Sequence, residues 1–228
     1  MTDGLPIGDP VPGWTPCPRP ERTPMVGRYC RLEPLDVGRH LEQLFAANRK
    51  DESDRMWFYL PYGPFDRLAD YRDWVKKNSE GDDPIFYAVV VPEGGAVGVA
   101  SYLRIKPEAG SIEVGGIAYS PQLQRTPAAT ETMYLMMRHA FDDLGYRRYE
   151  WKCNALNAPS RAAALRLGFT FEGIFRQAQV LKGRNRDTAW YSILDGEWPP
   201  IKVAFEHWLD SANFDSSGRQ REKLSALR

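Results

Sequence analysis

Apolar positions along the chain repeat with two periods, and the alternation between them gives the order of elements. Period-two runs mark strands at Met25–Glu33, Ile85–Val91, Val97–Ile105, Ile112–Ser120, Arg147–Asn154, Phe169–Leu181 and Asp187–Leu194. Helical spacing predicts helices at Asp36–Lys50, with Asp36 as N-cap, and at Asp66–Ser79, with Leu68, Tyr71, Trp74 and Val75 on one face. A third helix carries Ala129, Met133, Met136, Met137, Ala140, Phe141 and Leu144 and stops at Gly145. A short helix at Ala158–Leu167 ends at Gly168, and another lies near Ile201–Leu209 ahead of a polar tail. Pro92–Gly95 and Lys182–Asn185 read as hairpin turns, and Trp57–Phe65 as an aromatic connector broken by Pro61 and Pro64. No internal repeat is present.

The order predicts an α/β fold, a mixed and mostly antiparallel sheet with helices on both faces. The strand–helix–strand piece after the meander places two parallel strands side by side, and their divergence opens a ligand crevice. Residues 1–24 hold seven prolines and little periodicity, which predicts an irregular arm ahead of a domain at 25–198 and a C-terminal extension at 199–228.

Charge and cysteine usage narrow the class. Thirty basic residues balance thirty acidic ones, which argues against a general nucleic-acid binder. No apolar run approaches ~20 residues, so no membrane span is expected. Three unclustered cysteines, Cys17, Cys30 and Cys153, fit a reducing cytoplasm. With three histidines and no Cys-x-x-Cys pair, no metal site is expected.

The stretch Gln122–Phe141 carries the most chemistry. It runs from the end of a strand through a loop into a helix, so unpaired N–H groups and the positive end of a helix dipole converge there, which suits a phosphate or pyrophosphate. Together with NAPSRAAALRLGF (157–169) and FEGIFRQ (171–177), it resembles the GNAT superfamily of acyl-CoA-dependent N-acetyltransferases, in the branch of the ribosomal-protein acetyltransferases RimJ and RimL. The resemblance covers residues 25–198. It implies acetyl-CoA as co-substrate, its diphosphate held by Gln124, Arg125, Thr126, Ala128, Ala129 and Thr130. Against the family's Arg/Gln-x-x-Gly-x-Gly/Ala loop, Gln124 stands first and Ala129 last, Arg125 replaces one glycine and Pro127 the central one. Proline donates no N–H, so Arg125 and Thr126 are expected to compensate. The residues also read as a helix start capped by Thr126 with Pro127 in the first turn.

By the same resemblance, Asn157 contacts the pantetheine arm, Ser160 assists the departing thiolate, and the backbone of Ile117 and Tyr119 serves the oxyanion and the pantetheine. Many relatives carry a tyrosine acid where this chain has Ala164. Asn157 and Ser160 read equally as capping residues. Transfer to an amine of pKa ~10.4 needs a base. Glu113, on the strand leading to the loop, is the candidate, and a pairing with Arg104 is its structural alternative. Trp57, Tyr62, Tyr102 and Arg104 are candidate acceptor-site residues, with Trp74 and Trp151 assigned to the core and His139 to the solvated face.

These features predict an acetyltransferase acting on a small-molecule amine or a protein N-terminus, the neutral charge tilting toward a small molecule. A non-catalytic acyl-CoA-binding module and a transferase for longer acyl groups are the alternatives. The tail from Trp208 to Arg228 either covers the acceptor site or pairs two subunits in a homodimer.

Overall fold

A computed structural model describes residues 6–228. Eight strands form one sheet in the order β1-β2-β3-β4-β5-β6-β8-β7, antiparallel throughout except for β5 and β6. The strands are β1 (Met25–Val26), β2 (Arg31–Pro34), β3 (Ile85–Val91), β4 (Gly95–Lys106), β5 (Ser111–Tyr119), β6 (Arg148–Asn154), β7 (Thr170–Leu181) and β8 (Arg184–Leu194). Helices α1 (Val37–Asn48) and α2 (Leu68–Glu80) cover one face; α3 (Pro127–Arg138), α4 (Ala158–Leu167) and α5 (Trp198–Leu209) cover the other.

The near-continuous apolar run of β3 follows from this double cover. Tyr87 and Val89 enter the core under α3–α5 while Phe86 and Ala88 enter the core under α1 and α2, the two-residue side-chain alternation of a strand buried on both faces. Helix starts are capped as the residue types require: Asp36 Oδ1 accepts from Arg39 N at 2.8 Å, and Asn157 Oδ1 accepts from Ser160 N at 3.2 Å. Gly168 ends α4 at φ +105, a conformation glycine adopts without a Cβ clash.

The fold class and element order match the sequence expectation, with local corrections. The strand predicted at Met25–Glu33 is broken into β1 and β2 by a turn at Gly27–Cys30 whose amides bond to a distant carboxylate, a long-range cause invisible to local pattern. The third helix converts at His139–Asp143 into a wide π turn before Gly145 (φ +69). The β7–β8 turn contracts to Lys182 and Gly183, both with positive φ (48° and 72°), the two-residue geometry matched to strand twist. His139 is not solvated: its side chain is 14% exposed and Nδ1 lies 2.8 Å from Asp143 Oδ2. The tail is not simply polar either, because Leu224 is buried in the main core and Arg228 donates to Leu165 O of α4 (3.0 Å). It therefore lies against its own α4.

The described part of the N-terminal arm, residues 6–24, contains no helix or strand, and residues 1–5 lie outside the described residues. It packs along the domain through Cys17, Trp14 Nε1 to Glu108 O (3.1 Å), and Tyr87 Oη to Glu21 O (2.8 Å). No helix among the described residues is long and apolar enough to cross a membrane.

Candidate active site

The two parallel strands part where the sequence changes character. Pairing of β5 with β6 runs from Ser111↔Arg148 to Val114↔Trp151 and goes no further. On its other edge β5 bulges: Val99↔Ala118 and Ser101↔Gly115 leave Gly116 and Ile117 outside the β4 register. Gly116 has φ +58, and a Cβ there would stand 2.8 Å from the Phe86 ring and 2.9 Å from Ser101 Oγ, so the bend needs glycine. Ile117 thus sits in the bulge, and Tyr119 registers with Gly98.

At one mouth of the parting lies the start of α3. Thr126 caps the helix, accepting from Ala129 N (3.2 Å), and its own hydroxyl donates to Leu123 O (2.7 Å). Pro127 occupies the first turn, where no N–H is required. The N–H groups of Gln124 and Thr126 go to Ser120 O and Leu123 O, and the Gln124 amide folds back to Tyr119 O (2.7 Å). The N–H groups of Arg125 and Ala128 have no partner among the described residues. Arg125 is exposed and adopts φ +61, a left-handed backbone that residues other than glycine rarely take. Ala128 and Thr130 are buried, and Thr130 Oγ1 accepts from Arg166 Nη2 at 2.8 Å. Arg166, which sequence reasoning missed because it sits on α4 far along the chain, brings a second guanidinium to this helix start. These unpartnered amides and two cations fit an anionic diphosphate.

Ser160 and Asn157 open α4 on the same face as α3. Trp151 Nε1 donates to Ser160 Oγ (3.1 Å), so the hydroxyl keeps its own hydrogen for another acceptor. The buried Cys153 lies beside it, its thiol pushed up by burial and eased back by Ser160. Trp151 is a core residue, as expected.

Glu113 projects from the opposite face of the sheet and is 3% exposed. Arg104 Nη1 is 2.7 Å from its Oε1, and Lys152 Nζ is 2.8 Å from its Oε2. The expected Arg104 pairing is therefore present, and Lys152 is a partner that sequence reading missed, because only the parallel register sets β6 beside β5. Burial raises the Glu113 pKa, and Lys152 and Arg104 oppose that rise without cancelling it. Glu150 stands opposite Glu113 in the register. Burial pushes it up too, but Lys152 and Arg148 outweigh the effect and hold it below the usual carboxylate range. Two facing carboxylates with oppositely shifted pKa values divide the roles: Glu113 is suited to accept a proton and Glu150 to remain charged.

The aromatic connector closes this face. Tyr62 is half-buried against Trp57, Phe65 and Trp74 and donates to Gly116 O at 2.7 Å, tying the connector to the bulge. From the far edge of the sheet, Lys182 at the β7–β8 tip donates to Trp57 O (2.9 Å) and Gly63 O (2.8 Å), clasping the connector. One expectation is corrected here. Tyr102 is fully buried in the main core with its hydroxyl on Met136 O (2.6 Å), since its ring is enclosed by the helices that cover that face of the sheet, and it lines no open pocket. Trp57, 3% exposed in the second core, lies with Phe65 and Tyr71 along a cleft beside α1.

Residues 30–170 match the family model described as an acetyltransferase (GNAT) domain. A GCN5-related N-acetyltransferase from Brucella melitensis is 48% identical and superposes with a TM-score of 0.94, over 95% of this chain and 99% of that one. A probable GNAT-family acetyltransferase from Chromobacterium violaceum is 40% identical, TM-score 0.78, over 85% and 97% of the two chains. The ribosomal-protein-serine acetyltransferase of Escherichia coli is 28% identical over 110 residues, 48% of this chain and 61% of that protein, less than two thirds of its length. The chain belongs to the GNAT acetyltransferase family. It is accordingly an acyl-CoA-dependent N-acetyltransferase, of a family whose acyl donor is acetyl-CoA.

Proposed function

We propose that the protein transfers an acetyl group from acetyl-CoA directly to a primary amine that enters under the aromatic connector. The observation that carries this reading is Glu113, a buried carboxylate with a raised pKa beside the parting of β5 and β6. The start of α3, with Arg125 and the N–H groups of Arg125 and Ala128, holds the diphosphate; Asn157 and the backbone of Tyr119 receive the pantetheine. When bound, the co-substrate supplies an activated thioester. Glu113 takes a proton from the acceptor ammonium, directly or through water, so that the nitrogen lone pair is free to attack. The Ile117 N–H, set in the bulge of β5, polarises the carbonyl. Ser160, its lone pair engaged by Trp151, gives its hydrogen toward the departing sulfur. The buried, unpaired state of all three cysteines supports a reducing, cytoplasmic setting.

Thiol release from acetyl-CoA against a panel of amines and N-terminal peptides tests this reading, and release with none of them overturns it in favour of a binding module. Ser160→Ala is expected to lower kcat about tenfold to a hundredfold with the KM for acetyl-CoA unchanged. Full turnover at saturating acetyl-CoA removes Ser160 from the chemistry. Arg125→Gly separates backbone from charge: relief of the left-handed conformation keeps stability within about 1 kcal/mol of wild type, while the KM for acetyl-CoA rises several-fold. An unchanged KM removes the guanidinium from the diphosphate site.

A further inference from the structure

On the sheet face that carries Glu113, six charges form an alternating chain: Arg104, Glu113, Lys152, Glu150, Arg148, Glu172. Successive pairs lie 2.5–2.8 Å apart. Three cations meet three anions, so the chain is neutral in itself. Arg186 on β8 points to the same face, two strand positions from Thr188 and four from Trp190, which registers with Lys152. Its guanidinium lies within the field of both Arg104 and Glu113, yet it makes no ion pair among the described residues, and its Nε is buried without a hydrogen-bond partner. Two neutral donors beside it share that condition. Thr188 is 5% exposed with Oγ1 unpartnered, and Trp190 Nε1 is buried and unpartnered above the Lys152 ammonium. Leaving buried donors unmade is costly, and here one of them belongs to a half-buried guanidinium without an ion-pair partner. Three such donors line one face of β8, from beside Lys152 to just past the C-terminal end of β6, and suit an oxygen-rich anion lying along that face.

We infer that the acceptor is an amine whose own molecule carries a carboxylate, and that Arg186, with Thr188 and Trp190, binds that carboxylate while Glu113 receives the ammonium. The two charges of such a zwitterion then meet the two opposite charges that the face presents, Arg186 and Glu113. Arg186 fixes which amines are accepted and takes no part in proton transfer.

This deepens the acetyl-transfer reading, and the experiment keeps the two apart. Calorimetry with CoA present measures binding of alanine, methionine, phenylalanine and γ-aminobutyrate, each against its carboxamide; thiol release from acetyl-CoA is followed for the same panel. At least one amino acid is expected to bind tenfold or more tightly than its amide, and Arg186→Gln is expected to abolish that difference, with Arg186→Lys retaining part of it. Equal binding of every acid and amide by the wild-type protein, or no binding of any, overturns the inference. So does an Arg186→Gln variant whose main change is a raised KM for acetyl-CoA, which would assign the guanidinium to the co-substrate. A carboxylate preference in binding without thiol release sinks the transferase reading alone and leaves the anion site standing.

Discussion

Glu113→Gln is expected to lower kcat/KM by about two to four orders of magnitude, the range over which a positioned base contributes. Glutamine keeps the shape and one acceptor oxygen, for Arg104 or for Lys152, and turns its NH2 donor toward the other cation, so the charge chain loses its base and one ion-pair contact. The pH profile separates this from a structural loss. Burial raises the Glu113 pKa above that of an ordinary glutamate, so the wild-type rate climbs with pH as the carboxylate loses its proton, and the acidic limb lies above the normal carboxylate range. The variant lacks that limb and recovers part of its rate at high pH, where the amine deprotonates unaided. Stability runs the other way. A raised folded-state pKa favours the fold below that pKa, and the contribution is lost as pH rises through it; the depressed Glu150 contributes above its unfolded pKa and loses that contribution on acidification. A Glu113→Gln enzyme with an unaltered pH–rate curve ends the case for this residue as base.

The largest expected effect on folding lies away from the chemistry. Glu131, on α3 and 4% exposed, accepts from the backbone N–H of Arg28 (2.7 Å), Tyr29 (2.6 Å) and Cys30 (2.8 Å). This is the carboxylate that makes the turn between β1 and β2. Gly27 fits beside it because a Cβ would lie 2.4 Å from the carboxyl group. Glu131→Ala strips three buried donors of their acceptor, with an expected loss of about 3–5 kcal/mol, read as a lower denaturant midpoint at unchanged slope. A midpoint within experimental error of wild type means that the turn holds itself.

The sequence showed its long-range frame best where local physics is strong. Apolar alternation located β3 to β8, and capping chemistry at Asp36 and Asn157 located helix starts. It failed where the deciding partner is distant. Glu131 breaks the first strand from a hundred residues away, Lys152 reaches Glu113 only through the parallel register, and Arg166 and Arg186 approach the site from elements whose placement no local period encodes. An aromatic residue misled for the same reason: Tyr102 looks identical to a pocket ring until helices are laid over it, whereas Tyr62 stays half-buried on the face that carries Glu113, tied to Gly116 O.

The clasp at Lys182 holds main-chain oxygens of residues 57 and 63 and no side chain of the segment it grips. Any replacement in the segment that preserves the backbone path leaves the grip intact. On the acetyl-transfer reading proposed above, this segment walls the acceptor, and its lining can therefore change by single substitutions while its frame persists, so descendants of this scaffold are free to exchange one amine for another without first relearning how to fold.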